Sequence, residues 1–209
     1  MRNTLKTAAL VLALAAPASP AEELTPDALV KTISADVLAA IRQDKDIQAG
    51  NPKKIASLVE AKILPHFDFA HTTRIAMGAN WRRASPEQRE QLVREFRTLL
   101  VRTYSSALAS FRDQVLEFKP LRAQPGDMQV TVRSEVRQSG TQAVSIDYEM
   151  EKTASGWKVY DVKISGASLA ATYRDTFAEE VRNHGIDGLI DSLSNKNRQN
   201  DARPASINT

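Results

Sequence analysis

The sequence predicts an α+β domain in which several helices pack on one face of a twisted, four-stranded antiparallel sheet. Two changes of hydrophobic period carry this reading. From Leu24 to about Asp113 apolar residues recur every three or four positions, as on an amphipathic helix, and from Val115 to Ile164 they alternate, as on a strand with one dry face. After Ile164 the helical period returns, and no Pro/Gly-rich linker divides the chain, so one domain over residues 22–197 is expected.

The start of the chain has a different character. Arg2 and Lys6 precede the apolar run Ala8–Ala16, followed by the small residues and prolines of Pro17 to Ala21. This reads as a secretory signal peptide over residues 1–21, its apolar run shorter than the about 20 residues a bilayer span needs. Thr25-Pro26 then supplies an N-cap and a first-turn proline, and Leu29, Ile33, Val37 and Ile41 form one stripe to about Arg42. Asn51-Pro52 restarts the pattern with Ile55, Leu58, Val59 and Ile63, and Pro65 stops it. Asp68 can cap a shorter helix closed by Gly78. Ser85-Pro86-Glu87-Gln88 is a capping box opening the longest stripe: Leu92, Val93, Phe96, Leu99, Leu100, Tyr104, Leu108 and Phe111.

Four strands are expected next: Val115 to Lys119, Met128 to Arg137, Gln142 to Lys152 and Trp157 to Ile164, the last three joined at Ser139-Gly140 and Ser155-Gly156. Ser165-Gly166 turns the last strand into a helix from Ser168 to Asn183, and Ile186 to Leu193 forms a further amphipathic segment. From Ser194 the run SNKNRQNDARPASINT has no apolar period, and residues 198–209 are expected to be a disordered tail.

Composition excludes more than it selects. There is no Cys and there are only three His, so stability rests on packing rather than disulfides, and no paired His stands at the spacing of a catalytic zinc site. His66 and His71 flank Asp68, where surface and capping roles suffice. Neither a G-x-S-x-G elbow nor a phosphate-cradling glycine loop occurs. The net charge of +3 falls to about +1 without Arg2 and Lys6, and the arginines from Arg82 to Arg102 are interleaved with Glu87, Glu90 and Glu95. That pattern describes a solvated helix face, and no nucleic-acid partner is expected.

Asp161 is the one acid–base candidate, since a buried carboxylate beside Tyr residues would have a raised pKa. Strand alternation puts it opposite Tyr160, Val162 and Ile164, which favours a solvent-facing residue paired with Lys158 or Lys163.

Two regions resemble one known family. The stretch FDFAHTTRIAMGANWRRASPEQREQLVREFRTLLVRTYSSAL (67–108), and GWKVYDVKISGASLAATYRDTF (156–177) with GIDGLIDSL (185–193), are similar to the signature and closing blocks of the MlaC, or toluene-tolerance auxiliary, proteins. The resemblance implies an NTF2-like (cystatin-like) fold around an apolar cavity and a non-enzymatic periplasmic carrier of Gram-negative bacteria. Such a carrier has no cofactor, only a phospholipid as cargo. It shuttles that lipid between an outer-membrane lipoprotein–porin complex and an inner-membrane ABC transporter with an MCE-domain subunit, helping to maintain outer-membrane lipid asymmetry. A hopanoid-associated carrier, or a small NTF2-like enzyme using Asp161, is the alternative.

On this reading acyl tails lie between the sheet face (Val130, Val132, Val144, Ile146, Tyr148, Val162) and the long-helix stripe (Phe96, Leu99, Leu100, Tyr104), which are expected to face each other. Tyr173 and Phe177 are expected to close the mouth.

Overall fold

The computed structural model describes residues 24–109, 111 and 114–202. The signal-peptide segment therefore lies outside the described residues, as do residues 203–209 of the expected tail. Six helices are described: α1 (Pro26–Gln43), α2 (Lys45–Gln48), α3 (Pro52–Lys62), α4 (Phe69–Met77), α5 (Pro86–Ala109) and α6 (Arg174–Ala202). The strands are β1 (Val115–Phe118), β2 (Gln129–Arg137), β3 (Val144–Thr153), β4 (Gly156–Ile164) and β5 (Ala167–Ser168), in the order β1-β2-β3-β4-β5 with every pair antiparallel.

Local chemistry sets most of these boundaries. At α5 the Ser85 hydroxyl accepts from the Gln88 amide (3.2 Å), and the Gln88 side chain accepts in return from the Ser85 amide (3.0 Å), completing the capping box. Asp68 accepts from the His71 amide at 2.8 Å to start α4, and Asn51 accepts from Lys53 and Lys54 to start α3. Gly78 ends α4 at φ 53°, a conformation that disfavours any side chain. Arg174 folds over it, its Nε donating to the Ile75 carbonyl at 3.2 Å and satisfying one of the orphan carbonyls of α4.

Five expectations need correction. The Thr25 hydroxyl does not cap α1, because it donates to Asp27 at 2.8 Å instead. The long helix does not include Phe111, so it stops short of the expected end near Asp113. Four strands become five, because Ala167–Ser168 folds back onto Lys163–Ile164 through the Ser165-Gly166 turn, with Ser165 at φ 50° and Gly166 at φ 83°. Ser168 instead accepts from the Ala171 amide at 2.9 Å, capping a 3-10 turn (Ala171–Tyr173) that leads into α6.

The fifth correction concerns the tail. The polar run after Leu193 continues α6 to Ala202, so residues 198–202 are helical rather than disordered. Its anchor is Asn197, 4 % exposed and one turn beyond the buried Leu193, whose amide donates to the Glu95 carbonyl at 3.0 Å and to the Glu95 carboxylate at 2.8 Å. A single polar anchor leaves no trace in a hydrophobic period. Gly185, at φ 75° and ψ −178°, breaks α6 where the sequence reading separates its two segments.

Buried apolar side chains form three separate groups. One unites α4, α5 and α6 around Phe96, Leu92, Leu99, Phe177, Val181 and Leu189. A second joins α1, α2 and α3 around Ile41, Ile47, Ile55 and Val59, with Val101 and Leu108 of α5 packed against it. The third sets Val30 of α1 on the sheet residues Val130, Val132, Met150 and Val159. A domain of this size ordinarily closes on one contiguous core. Here α1 and α5 are each shared between two groups, and the sheet joins the helical layer through α1.

Candidate functional site

The dry face of the sheet is closed at one end and open at the other. Strand register sets Val130 and Val159 beside Met150, then Val132 and Val162 beside Tyr148, then Ser134 and Ile164 beside Ile146, and finally Val136 beside Val144. Exposure rises along β3 and β4 in this order, while on β2 Ser134 is still 1 % exposed. Met150, Val132 and Val159 are buried beneath Val30, whereas Ile164 is 36 % and Val144 39 % exposed. An antiparallel sheet that turns apolar side chains outward at one end of its covered face leaves an apolar mouth there.

Tyr148 stands at the boundary between the two ends. Burial holds the pKa of its hydroxyl above the usual phenol range, against the opposing influence of the Ser134 and Ser34 hydroxyls. Ser134 is itself 1 % exposed and donates to the Ile146 carbonyl at 3.2 Å. Tyr148 and Ser134 thus set two hydroxyl groups in the otherwise apolar face where covering gives way to exposure.

The helical half of the expected site lies elsewhere. Phe96, Leu99 and Leu100 pack with α6 and α4. Phe96 is fully buried, with Tyr173 and Phe177 edge-on to it at ring-centroid distances of 5.0 Å each. The expectation that this stripe faces the sheet is therefore corrected: a residue every three to four positions also suits a neighbouring helix, and α6 occupies that side. Phe177, 2 % exposed, is a core residue of the helix group rather than an exposed lid. Tyr104 lies beside Tyr173, whose hydroxyl pKa is pushed up to about 12, first by burial and then by Tyr104.

Tyr160, rather than Asp161, departs from strand alternation. Opposite Glu149 and Met150 of β3, strand β4 places Asp161 and Val159, leaving Tyr160 as an extra residue. Asp161 lies on the face of Glu149, opposite Val162 and Ile164 as alternation expects, and the bulge turns Tyr160 away from Val162 and Ile164 as well, onto His71. Asp161 is 5 % exposed rather than solvent-facing, and it pairs with neither expected lysine. It accepts from the Ala170 amide at 3.2 Å, while Lys163 binds Glu149 at 2.7 Å and Lys158 donates to the Pro65 carbonyl at 2.6 Å. The carboxylate thus holds the β5-to-α6 connection, on the side of the sheet opposite the apolar rows.

Of the twelve residues expected from sequence, Val130, Val132, Tyr148 and Val162 meet in the sheet group, with Val144 and Ile146 in the rows toward the open end. Phe96, Leu99, Leu100, Tyr173 and Phe177 form the helix group, and Tyr104 touches it through Tyr173. Ser134 was missed as a residue of this face, although it interrupts the alternation of Val130, Val132 and Val136. Two depressions of about 430 and 590 Å³ lie at the α1–α2 corner and along α6, and neither is lined by any of the twelve. Among the described residues no group of three or more His, Asp or Glu could hold a metal ion, and no helix is long and apolar enough to cross a membrane.

A sheet with one dry, half-covered face under a helical layer defines the class of helix-on-sheet α+β proteins with an apolar mouth. Within it the chain belongs to the MlaC protein family, whose model matches residues 31–195. It is 45 % identical to the phospholipid-binding protein from Ralstonia solanacearum, solved in complex with a phospholipid, with a TM-score of 0.77 over 84 % of this chain and 98 % of that one. It is 24 % identical to the toluene tolerance protein Ttg2D of Pseudomonas putida over 90 % of this chain and 87 % of the relative. It is also 23 % identical to the intermembrane phospholipid transport system binding protein MlaC of Haemophilus influenzae, over 82 % and 81 %.

Proposed function

We propose that this protein is a non-enzymatic, periplasmic phospholipid carrier that holds its cargo by the acyl tails. The observation that carries the reading is the sheet face that passes from Met150, fully buried, to Val144, 39 % exposed, in a chain 45 % identical to a protein solved with a phospholipid bound. Apolar rows with one end open suit a ligand with an apolar body and a polar end left in water.

Energetics then constrain how it works. Each buried methylene contributes about 0.8 kcal/mol, so a lipid with about 30 of them gains on the order of 20 kcal/mol by leaving water. Release into free solution is negligible at that cost, and transfer takes place on a docked membrane protein. The partners are an inner-membrane ABC transporter with an MCE-domain subunit and an outer-membrane lipoprotein–porin complex, between which shuttling maintains outer-membrane lipid asymmetry. Selection rests on the tails, since no cluster of charged side chains lines the apolar rows.

Delipidated protein incubated with phosphatidylglycerol vesicles and re-isolated by gel filtration tests the binding step. Extraction and phosphate analysis should find one phospholipid per chain, and a lipid-free chain after incubation contradicts the proposal.

A further inference from the structure

We propose that α1, α2 and α3 form a gate, turning as one body about Val159 of β4 and parting from α5 to let a phospholipid in and out. The inference rests on the proposed phospholipid binding and deepens it. The six buried apolar residues at the centre of this group, Val37, Ile41, Ile47, Ile55, Leu58 and Val59, all belong to the three helices themselves. A unit whose buried side chains come from its own elements keeps its core when it moves, and it opens as a whole. Asp36 of α1 and Lys62 of α3, 3.2 Å apart, tie its two long helices further.

The attachments of the unit to the remainder are uneven. Both links to the sheet converge on one residue. Val30, near the start of α1, is buried in the same group as Val159. Phe67, just after the 3-10 turn (Leu64–His66) that follows α3, pairs with Val159, whose carbonyl accepts from the Asp68 amide at 2.8 Å. These two links define an axis, and the turn between them and α3 is the kind of short connection that absorbs a hinge rotation. Against α5 the unit is held more lightly. Val101 and Leu108 pack on it while only partly buried themselves, and Glu60 of α3 meets Arg97 of α5 at 2.6 Å. With side chains 57 % and 39 % exposed, that ion pair adds little to the closure. The seam along α5 therefore opens before either link at Val159 does.

The chain contains no Cys, so introduced thiols can be bridged selectively. Glu60→Cys with Arg97→Cys spans the seam, and Asp36→Cys with Lys62→Cys lies within the moving unit. Each pair is bridged by a short bis-methanethiosulfonate reagent, and a reductant removes the bridge. Loading is followed as the rate at which pyrene-labelled phosphatidylglycerol leaves self-quenched vesicles for the protein. The bridge across the seam should slow loading by at least about tenfold, with recovery on reduction, while the bridge within the unit should leave the rate unchanged. Equal rates for the bridged and reduced seam variant, or equal slowing by both bridges, overturn the gate while leaving phospholipid binding intact. Wild type that takes up no labelled lipid overturns the binding on which the inference rests.

Discussion

Tyr160 lies flat on His71, the two rings 4.1 Å apart and within 9° of parallel, and His71 reaches the Glu151 carboxylate at 2.7 Å through Nδ1. This stack joins α4 to the outer face of the sheet at the bulge in β4, and Thr72 reinforces it by donating to the Tyr160 carbonyl at 2.8 Å. Tyr160→Ala removes the ring while leaving the backbone bond. It should destabilise the fold by about 1–3 kcal/mol with lipid uptake unchanged, measured by urea unfolding and by lipid extraction.

Asp161 is a structural carboxylate. Asp161→Ala strands the Ala170 amide in a buried site, and equilibrium unfolding should register a loss of about 1–3 kcal/mol. Asp161→Asn keeps an acceptor and should recover most of that loss. A variant with full stability and altered lipid uptake would place the residue in the binding machinery instead.

The two halves of the expected site should respond differently to truncation. Phe96→Ala empties the centre of the α4–α5–α6 group and should cost about 3–5 kcal/mol. Val144→Ala at the open mouth should change stability by less than about 1 kcal/mol but weaken lipid retention. Equal stability losses in both would show that the mouth is as tightly packed as the helix core.

Gly185 is a second point of strain. Its φ of 75° with ψ near 180° is a conformation only glycine adopts readily, so Gly185→Ala should lose about 1–3 kcal/mol. Gly188 sits close by, and a Cβ there would stand 2.3 Å from that of His184. Gly188→Ala must therefore also move the break. Hydrogen exchange over residues 186–202 should rise in both variants, and unchanged protection would show that the break is not needed to dock the second half of α6.

Acid should weaken the protein in two steps. Burial, followed by the nearby Lys158 charge, holds His66 below its ordinary value near about 6.5. The unfolded chain therefore binds this proton more readily, and stability falls as pH drops below about 6.5 toward the folded-state value. Asp27 is also held low, chiefly by its bond from Lys31, so its contribution is present above about 4 and is lost at more acid pH. Thermal midpoints between pH 7.5 and 5.5 should decline in wild type and flatten in His66→Gln, while an identical slope in both would assign the decline to other groups.

What could be read from sequence followed from how local each signal is. Capping residues at Asp68 and Ser85 act within one turn, and the strand alternation of Val130, Val132 and Val136 reports its own face, so these elements appear where expected. The bulge at Tyr160 is set by pairing with another strand, and it reversed the orientation of Tyr160, while the burial of Asp161 is set by the Ala170 segment that folds over it. Phe96 shows the same limit for the site. Its periodicity reveals a buried face, but whether a sheet or α6 covers that face depends on a segment about 80–90 residues further along. The burial of Ser134 was hidden for a related reason, since a serine in an apolar stripe becomes informative only when what covers it is known.

Phospholipid carriage is tested by native mass spectrometry of the protein isolated from a Gram-negative periplasm without detergent. A dominant species at the mass of the mature chain plus one phospholipid, dissociating to the chain and an intact lipid on activation, is the expected result. A lipid-free chain whose thermal midpoint does not change when phospholipid is added would contradict it.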